Sequence, residues 1–184
     1  MTEIASAGQL RMSYARAALA IVPLILFLGI ASGVLSGSGD GNPWFADLAK
    51  PAATPPGWAF PVVWSILYVL IGLAFAAVVI ARGAPGRGLA VGLFVVQLAL
   101  NLAWSPIFFA GHRVAIAFGV ILLMILFTIA TILAFARVRR RAAWAMLPYL
   151  AWLCFAAWLN HRIDVMNPDA AALAPGRGST QVEL

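Results

Sequence analysis

Five stretches of this chain, 17–37, 58–81, 88–110, 114–136 and 142–160, are apolar and contain no Asp, Glu, Lys, Arg or His. A bilayer core takes about 20 residues of α-helix, so each stretch is long enough to cross. Within hydrocarbon every backbone N–H and C=O must be satisfied internally, and a continuous apolar run does this as a helix. The fold class is therefore all-α, an integral membrane bundle of five transmembrane helices. Composition agrees. The 184 residues are 64% hydrophobic and 10% charged, where a soluble domain carries about one quarter charged residues.

The runs divide the chain into an N-terminal tail (1–16), a five-helix domain (17–160) with a long first loop (38–57), and a polar C-terminal tail (161–184) that reads as disordered. Arg11 and Arg16 precede the first run, as in a secretory signal. The run is too long for a signal core and no cleavage site closes it, so it reads as a retained helix. Gly29, Gly33 and Gly37 recur every four residues and make a flat face, for packing within the bundle or for a dimer seam. Five spans place Arg11, Arg16, Arg82, Arg87, Arg137, Arg139, Arg140 and Arg141 on one side, and Lys50, Arg113, Arg162 and Arg177 on the other. The positive-inside rule puts the N-terminus in the cytoplasm, and the first loop and C-terminus outside, in a bacterial-type cell membrane. The net charge of +6 is thereby a matter of topology, and no nucleic-acid partner is expected.

All six acids (Glu3, Asp40, Asp47, Asp164, Asp169, Glu183) fall in the tails or the first loop. Ion-coupled transporters keep an ionisable group at membrane depth, and ordinary hydrolytic chemistry needs an acid and a base. Neither is available inside the spans. No His, Cys or carboxylate cluster has metal-ligand spacing, so no metal and no cofactor is expected. Cys154 is alone and reads as a small buried hydrophobe.

The interior is aromatic instead. Phe60, Trp64 and Tyr68 share one face of the second span, and Gln97, Asn101 and Trp104 one face of the third. Tyr149, Trp152, Ala156 and Asn160 line a face of the fifth, with Trp144 and Trp158 adding to it. Taken singly, aromatics at span ends (Trp44, Trp58, Trp144) suit an interfacial belt, and the deeper ones suit core packing. The amides Gln97 and Asn101 need partners on a neighbouring helix or a ligand. Ala156 beside Trp152 leaves room for a flat guest. The first loop, with Trp44, Phe45, Pro51, Pro55, Pro56 and Trp58, reads as a stiffened lid. Such a pocket fits a large planar apolar ligand, a porphyrin or a sterol. Lys50 and Arg162 are candidates to meet porphyrin propionates at the rim.

Three segments carry a family resemblance. WFADLAKPAATPPGWAFPVVWSILY (44–68), QLALNLAWSPIFF from Gln97 and PYLAWLCFAAWLN from Pro148 resemble the first loop, third helix and fifth helix of the tryptophan-rich sensory protein and translocator protein (TspO/MBR, peripheral-type benzodiazepine receptor) family. The resemblance implies a five-helix bundle, a homodimer, and binding of porphyrins such as protoporphyrin IX and haem in tetrapyrrole handling and stress response. It maps ligand contacts onto Trp44, Phe45, Pro55, Phe60, Trp64, Tyr68, Asn101, Trp104, Trp152 and Ala156. It further implies, as alternatives, light-dependent porphyrin degradation at Trp64 and Trp152, or passive porphyrin transport. Two departures stand out. Ala53 occupies a loop position where the family usually has Trp, and His161-Arg162 replaces the Tyr-basic pair of the family's sterol motif.

Overall fold

The computed structural model describes residues 7–174. The element order is α1 (Ala7–Leu35), α2 (Pro43–Asp47), α3 (Ala59–Val79), α4 (Arg87–Ser105), a π-helical turn (Pro106–Ala110), α5 (Val114–Val138), α6 (Arg140–Ala145), α7 (Leu147–Met166) and a 3₁₀ turn (Ala170–Leu173). No strand occurs among the described residues. Five helical segments are long and apolar enough to cross a membrane, and they coincide with the five apolar runs. The chain is an all-α integral membrane protein.

Helix α1 packs on α3, α4 on α5, and α5 on α7. Association in lipid relies on close packing, since tails are as apolar as Leu, and two glycines supply it. A Cβ on Gly72 of α3 would lie 3.2 Å from the Val22 backbone of α1, and one on Gly29 would overlap the Tyr68 ring. The Gly29 face thus serves packing within the bundle. The core holds Ile71, Phe94, Phe135, Tyr149 and Leu153, all but fully buried, with Phe75 and Phe94 stacked at 4.0 Å.

Three expectations are corrected. Helix α1 starts at Ala7, so 7–16 belongs to the helix, not to a tail. Helix α7 continues to Met166, and 167–174 packs against the first loop instead of forming a disordered tail; the rest of that tail, 175–184, lies outside the described residues, as does 1–6. Cys154 is exposed on the outside of the bundle, because its neighbour Leu153 takes the inward position.

The belt assignment separates as well. Trp58 and Trp144 are exposed at helix ends, as an interfacial role requires, whereas Trp44 is 1% exposed. Trp144 and Trp158 face outward and take no part in the inner aromatic face.

Candidate functional site

A cavity of about 510 Å³ opens among α1, α3, the end of α4, and α7, beneath the first loop. That volume lies within the range of sites for drug-sized ligands. Its walls follow from local chain chemistry.

On α3 the four-residue spacing stacks Phe60, Trp64 and Tyr68 along the cavity. Across it stand Trp152 and Ala156 of α7. The Trp64 and Trp152 rings are 6.5 Å apart and nearly perpendicular, at 88°. Phe60 meets Trp152 edge-on at 6.2 Å. The small side chain of Ala156 and the bare Gly29 and Gly33 also line the cavity, Gly29 giving room to the Tyr68 ring.

The floor is polar but uncharged. The Tyr68 hydroxyl donates to Asn101 Oδ1 at 2.8 Å, and Asn101 Nδ2 donates to the Tyr149 hydroxyl at 3.1 Å. One amide thereby ties α3, α4 and α7 together at membrane depth. Trp104 Nε1 donates to Asn160 Oδ1 at 3.3 Å, and Asn160 Nδ2 to the Val114 carbonyl at 3.0 Å. By contrast, neither amide atom of the buried Gln97 has a protein partner, nor does Trp152 Nε1.

The end of α4 is shaped by Pro106. Proline has no N–H to donate to the carbonyl four residues back, and that carbonyl, of Leu102, instead accepts from Ser32 Oγ on α1 at 2.7 Å. The ladder then widens by one residue, with Gly111 N donating to Pro106 O at 2.8 Å. Turns of this kind recur at functional sites. Here the turn brings the adjacent Phe108 and Phe109 both inward, to line the cavity.

The first loop is held by specific bonds. Asn42 caps α2, accepting from Phe45 N at 3.0 Å. Trp44 packs on Phe108 and His112 and donates from Nε1 to the Ala170 carbonyl at 2.7 Å. Ala49 N donates to Asn167 Oδ1, and Asn167 Nδ2 donates back to Ala49 O, both at 2.9 Å. The segment following α7 therefore clips the loop in place.

Of the ten residues expected at the site, Phe45, Phe60, Trp64, Tyr68, Trp104, Trp152 and Ala156 line the cavity. The other three do not. Trp44 is buried in the loop's anchor, Asn101 acts from behind Tyr68, and Pro55 sits in the loop away from the cavity. The expected rim cations, Lys50 and Arg162, are not among the lining residues. Lys50 Nζ lies 4.5 Å from the centroid of the Phe45 ring and donates to the Ala46 and Leu48 carbonyls, and Arg162 is exposed elsewhere. The charged residue that does line the cavity is Asp40, whose carboxylate lies against Gly57.

Sequence reasoning missed Gly29, Phe108, Phe109, Phe155 and Asp40. Pro106 was the available signal for the two phenylalanines. Regular α-periodicity would have sent one of an adjacent pair outward.

Comparisons agree with this architecture. The TspO/MBR family model matches residues 20–166. The chain is 41% identical over 127 residues to the tryptophan-rich protein TspO of Chlorobaculum tepidum, covering 68% of this chain and 80% of the relative. It is 39% identical over 132 residues to the tryptophan-rich sensory protein of Cereibacter sphaeroides, covering 70% and 82%. It is also 39% identical over 127 residues to the translocator protein of Ovis aries, covering 68% and 75%. With a family match over most of its length and relatives of this similarity, the chain belongs to the TspO/MBR family.

Proposed function

We propose that this protein is a membrane receptor or regulator that binds porphyrins, protoporphyrin IX or haem, in the aromatic cavity beneath the first loop, in tetrapyrrole handling and stress response. The observation that carries the reading is the perpendicular Trp64–Trp152 pair, 6.5 Å apart, in a cavity also lined by the small Ala156 and Gly29 and floored by neutral hydrogen bonds. A ring-walled slot with an uncharged floor, charged only at Asp40 on the loop side, favours a flat apolar guest. The names of the relatives, sensory and translocator proteins, support a role in sensing or passage at a membrane. The arginine-rich end is assigned to the cytoplasm, and the loop over the cavity to the outside. A homodimer is part of the reading. Gly88 and Gly92 leave an open face on α4, where a second copy would find close backbone approach.

Titration of intrinsic tryptophan fluorescence with protoporphyrin IX tests the binding claim. Trp64→Ala and Trp152→Ala are each expected to weaken binding about tenfold, as removal of a wall ring at a binding centre does. Unchanged affinity in both variants refutes the assignment of the cavity.

A second reading, light-dependent porphyrin oxidation, is favoured by one observation. Trp64 and Trp152 both line the cavity, so a bound, photo-excited porphyrin would lie against two oxidisable indoles, with dissolved dioxygen as the oxidant. Illumination of the complex is then expected to give a bilin-like product that Trp64→Phe and Trp152→Phe abolish. A product rate equal to that of free porphyrin excludes this reading.

A further inference from the structure

At the end of the bundle opposite the aromatic cavity, Arg16, Arg82 and Arg87 line a second concavity of about 550 Å³, between the start of α1 and the α3–α4 turn. We propose that it binds the phosphate of an anionic phospholipid headgroup. The turn is built to bring the arginines together. Gly83 and Gly86 take left-handed φ values of +79° and +77°, a conformation that glycine adopts without steric cost. The tight reversal sets Arg82 and Arg87 on its two flanks. Arg87 is also oriented, because its Nε donates to the Val79 carbonyl near the end of α3 at 3.0 Å. That bond uses one of the guanidinium's five N–H donors.

The charge in this concavity is not neutralised by its surroundings. The acids among the described residues, Asp40, Asp47, Asp164 and Asp169, all belong to the other end of the bundle; Glu3 lies outside the described residues. Arg16 and Arg82 have no ionic partner among the described residues. Guanidinium forks match phosphate oxygens bidentately, and basic pockets between helices at the membrane surface suit anionic headgroups. The remaining wall holds the polar Gln9 and Ser13 and the apolar Met12, Ala17, Val79 and Ile80, the apolar four near the start of α1 and at the end of α3. A headgroup with its glycerol and upper acyl chain would cover them, and a free phosphate ion would not. This site is independent of the porphyrin reading, since it shares no residue with the aromatic cavity.

Topology alone places arginines at this end, so the test must separate a site from general charge. The full chain is reconstituted in nanodiscs of phosphatidylcholine with a minor fraction of phosphatidylglycerol, and retained lipid is counted by native mass spectrometry. Arg82→Lys/Arg87→Lys keeps the net charge and the topology while removing both guanidinium forks. It is expected to weaken phosphatidylglycerol retention about tenfold. Arg139→Gln/Arg141→Gln removes two charges from the same end outside the concavity and is expected to change retention less than twofold. Equal losses in the two pairs, or no preference for phosphatidylglycerol in the unaltered protein, overturn the proposal. Full displacement of the lipid by inorganic phosphate overturns it too, in favour of a free-anion site.

Discussion

Asn101 shows what a single polar residue does inside this bundle. Its amide accepts from Tyr68 and donates to Tyr149, so one side chain satisfies two buried hydroxyls on different helices. Asn101→Leu would strand both, at a cost of about 1–3 kcal/mol, read as a lower midpoint of thermal unfolding in detergent. Gln97, one turn away, has neither amide atom paired within the protein. Gln97→Leu is therefore expected to leave the midpoint unchanged or to raise it, because it removes an unpaired group without stranding a partner. The two residues have the same spacing relation to the apolar pattern, and the sequence called for partners at both. Which one finds them depends on where the tyrosines of other helices arrive, and no local pattern carries that. Gly29 makes the same point from the other direction. Its four-residue repeat announces a close approach, but only the fold supplies Tyr68 as the group that comes close. Gly29→Val is expected to displace the Tyr68 ring and to weaken porphyrin binding about tenfold, because overpacking of a tight contact costs about 1–3 kcal/mol. Equilibrium titration of the folded variant measures it.

At the scale of elements, the spans were legible and the irregular pieces were not. Length and the absence of charge locate five helices, because hydrocarbon tolerates few alternatives. The π turn at Pro106–Ala110 and the clip formed by the residues after α7 arise from long-range bonding. Ser32 on α1 takes the Leu102 carbonyl that Pro106 leaves free. Ser32→Ala removes that bond and is expected to cost about 1–2 kcal/mol, measurable as a lower unfolding midpoint. The stretch after Asn160 reads as a tail because it is polar. Helix α7 orders it as far as Met166, and beyond that Ala49, 118 positions earlier, exchanges two hydrogen bonds with Asn167. Asn167→Ala releases both. The first loop is then expected to be cut faster by protease, and bound porphyrin to dissociate about three- to tenfold faster, in line with the loss of about 1 kcal/mol or more of net hydrogen bonding. Stopped-flow fluorescence gives the second quantity.

The whole molecule is a bundle with two unlike ends. One end carries most of the arginines and the basic concavity, and the other carries the loop, the clip and the aromatic cavity. The interior joins them through apolar runs that hold no Asp, Glu, Lys, Arg or His, the side chains that usually bind a coupling ion at membrane depth. The charged residue that reaches the cavity is Asp40, at its loop-side edge. The ring wall of the cavity, Phe60, Trp64 and Tyr68 facing Trp152, was readable from helical spacing, because α3 and α7 are regular. The loop's contribution was readable only in part, since Phe45 lines the cavity whereas Trp44 points into an anchor of Phe108, His112 and Ala170 rather than toward the cavity. In the proposed dimer, Gly92→Leu would fill the open face of α4 and is expected to shift the protein toward monomer in crosslinking while leaving porphyrin affinity unaltered. The most direct test of the central claim is a structure determined with protoporphyrin IX bound. The ring system is expected between Trp64 and Trp152, beneath the first loop and against Tyr68. A macrocycle found on the lipid-facing surface, with the cavity between those tryptophans unfilled, would contradict the account.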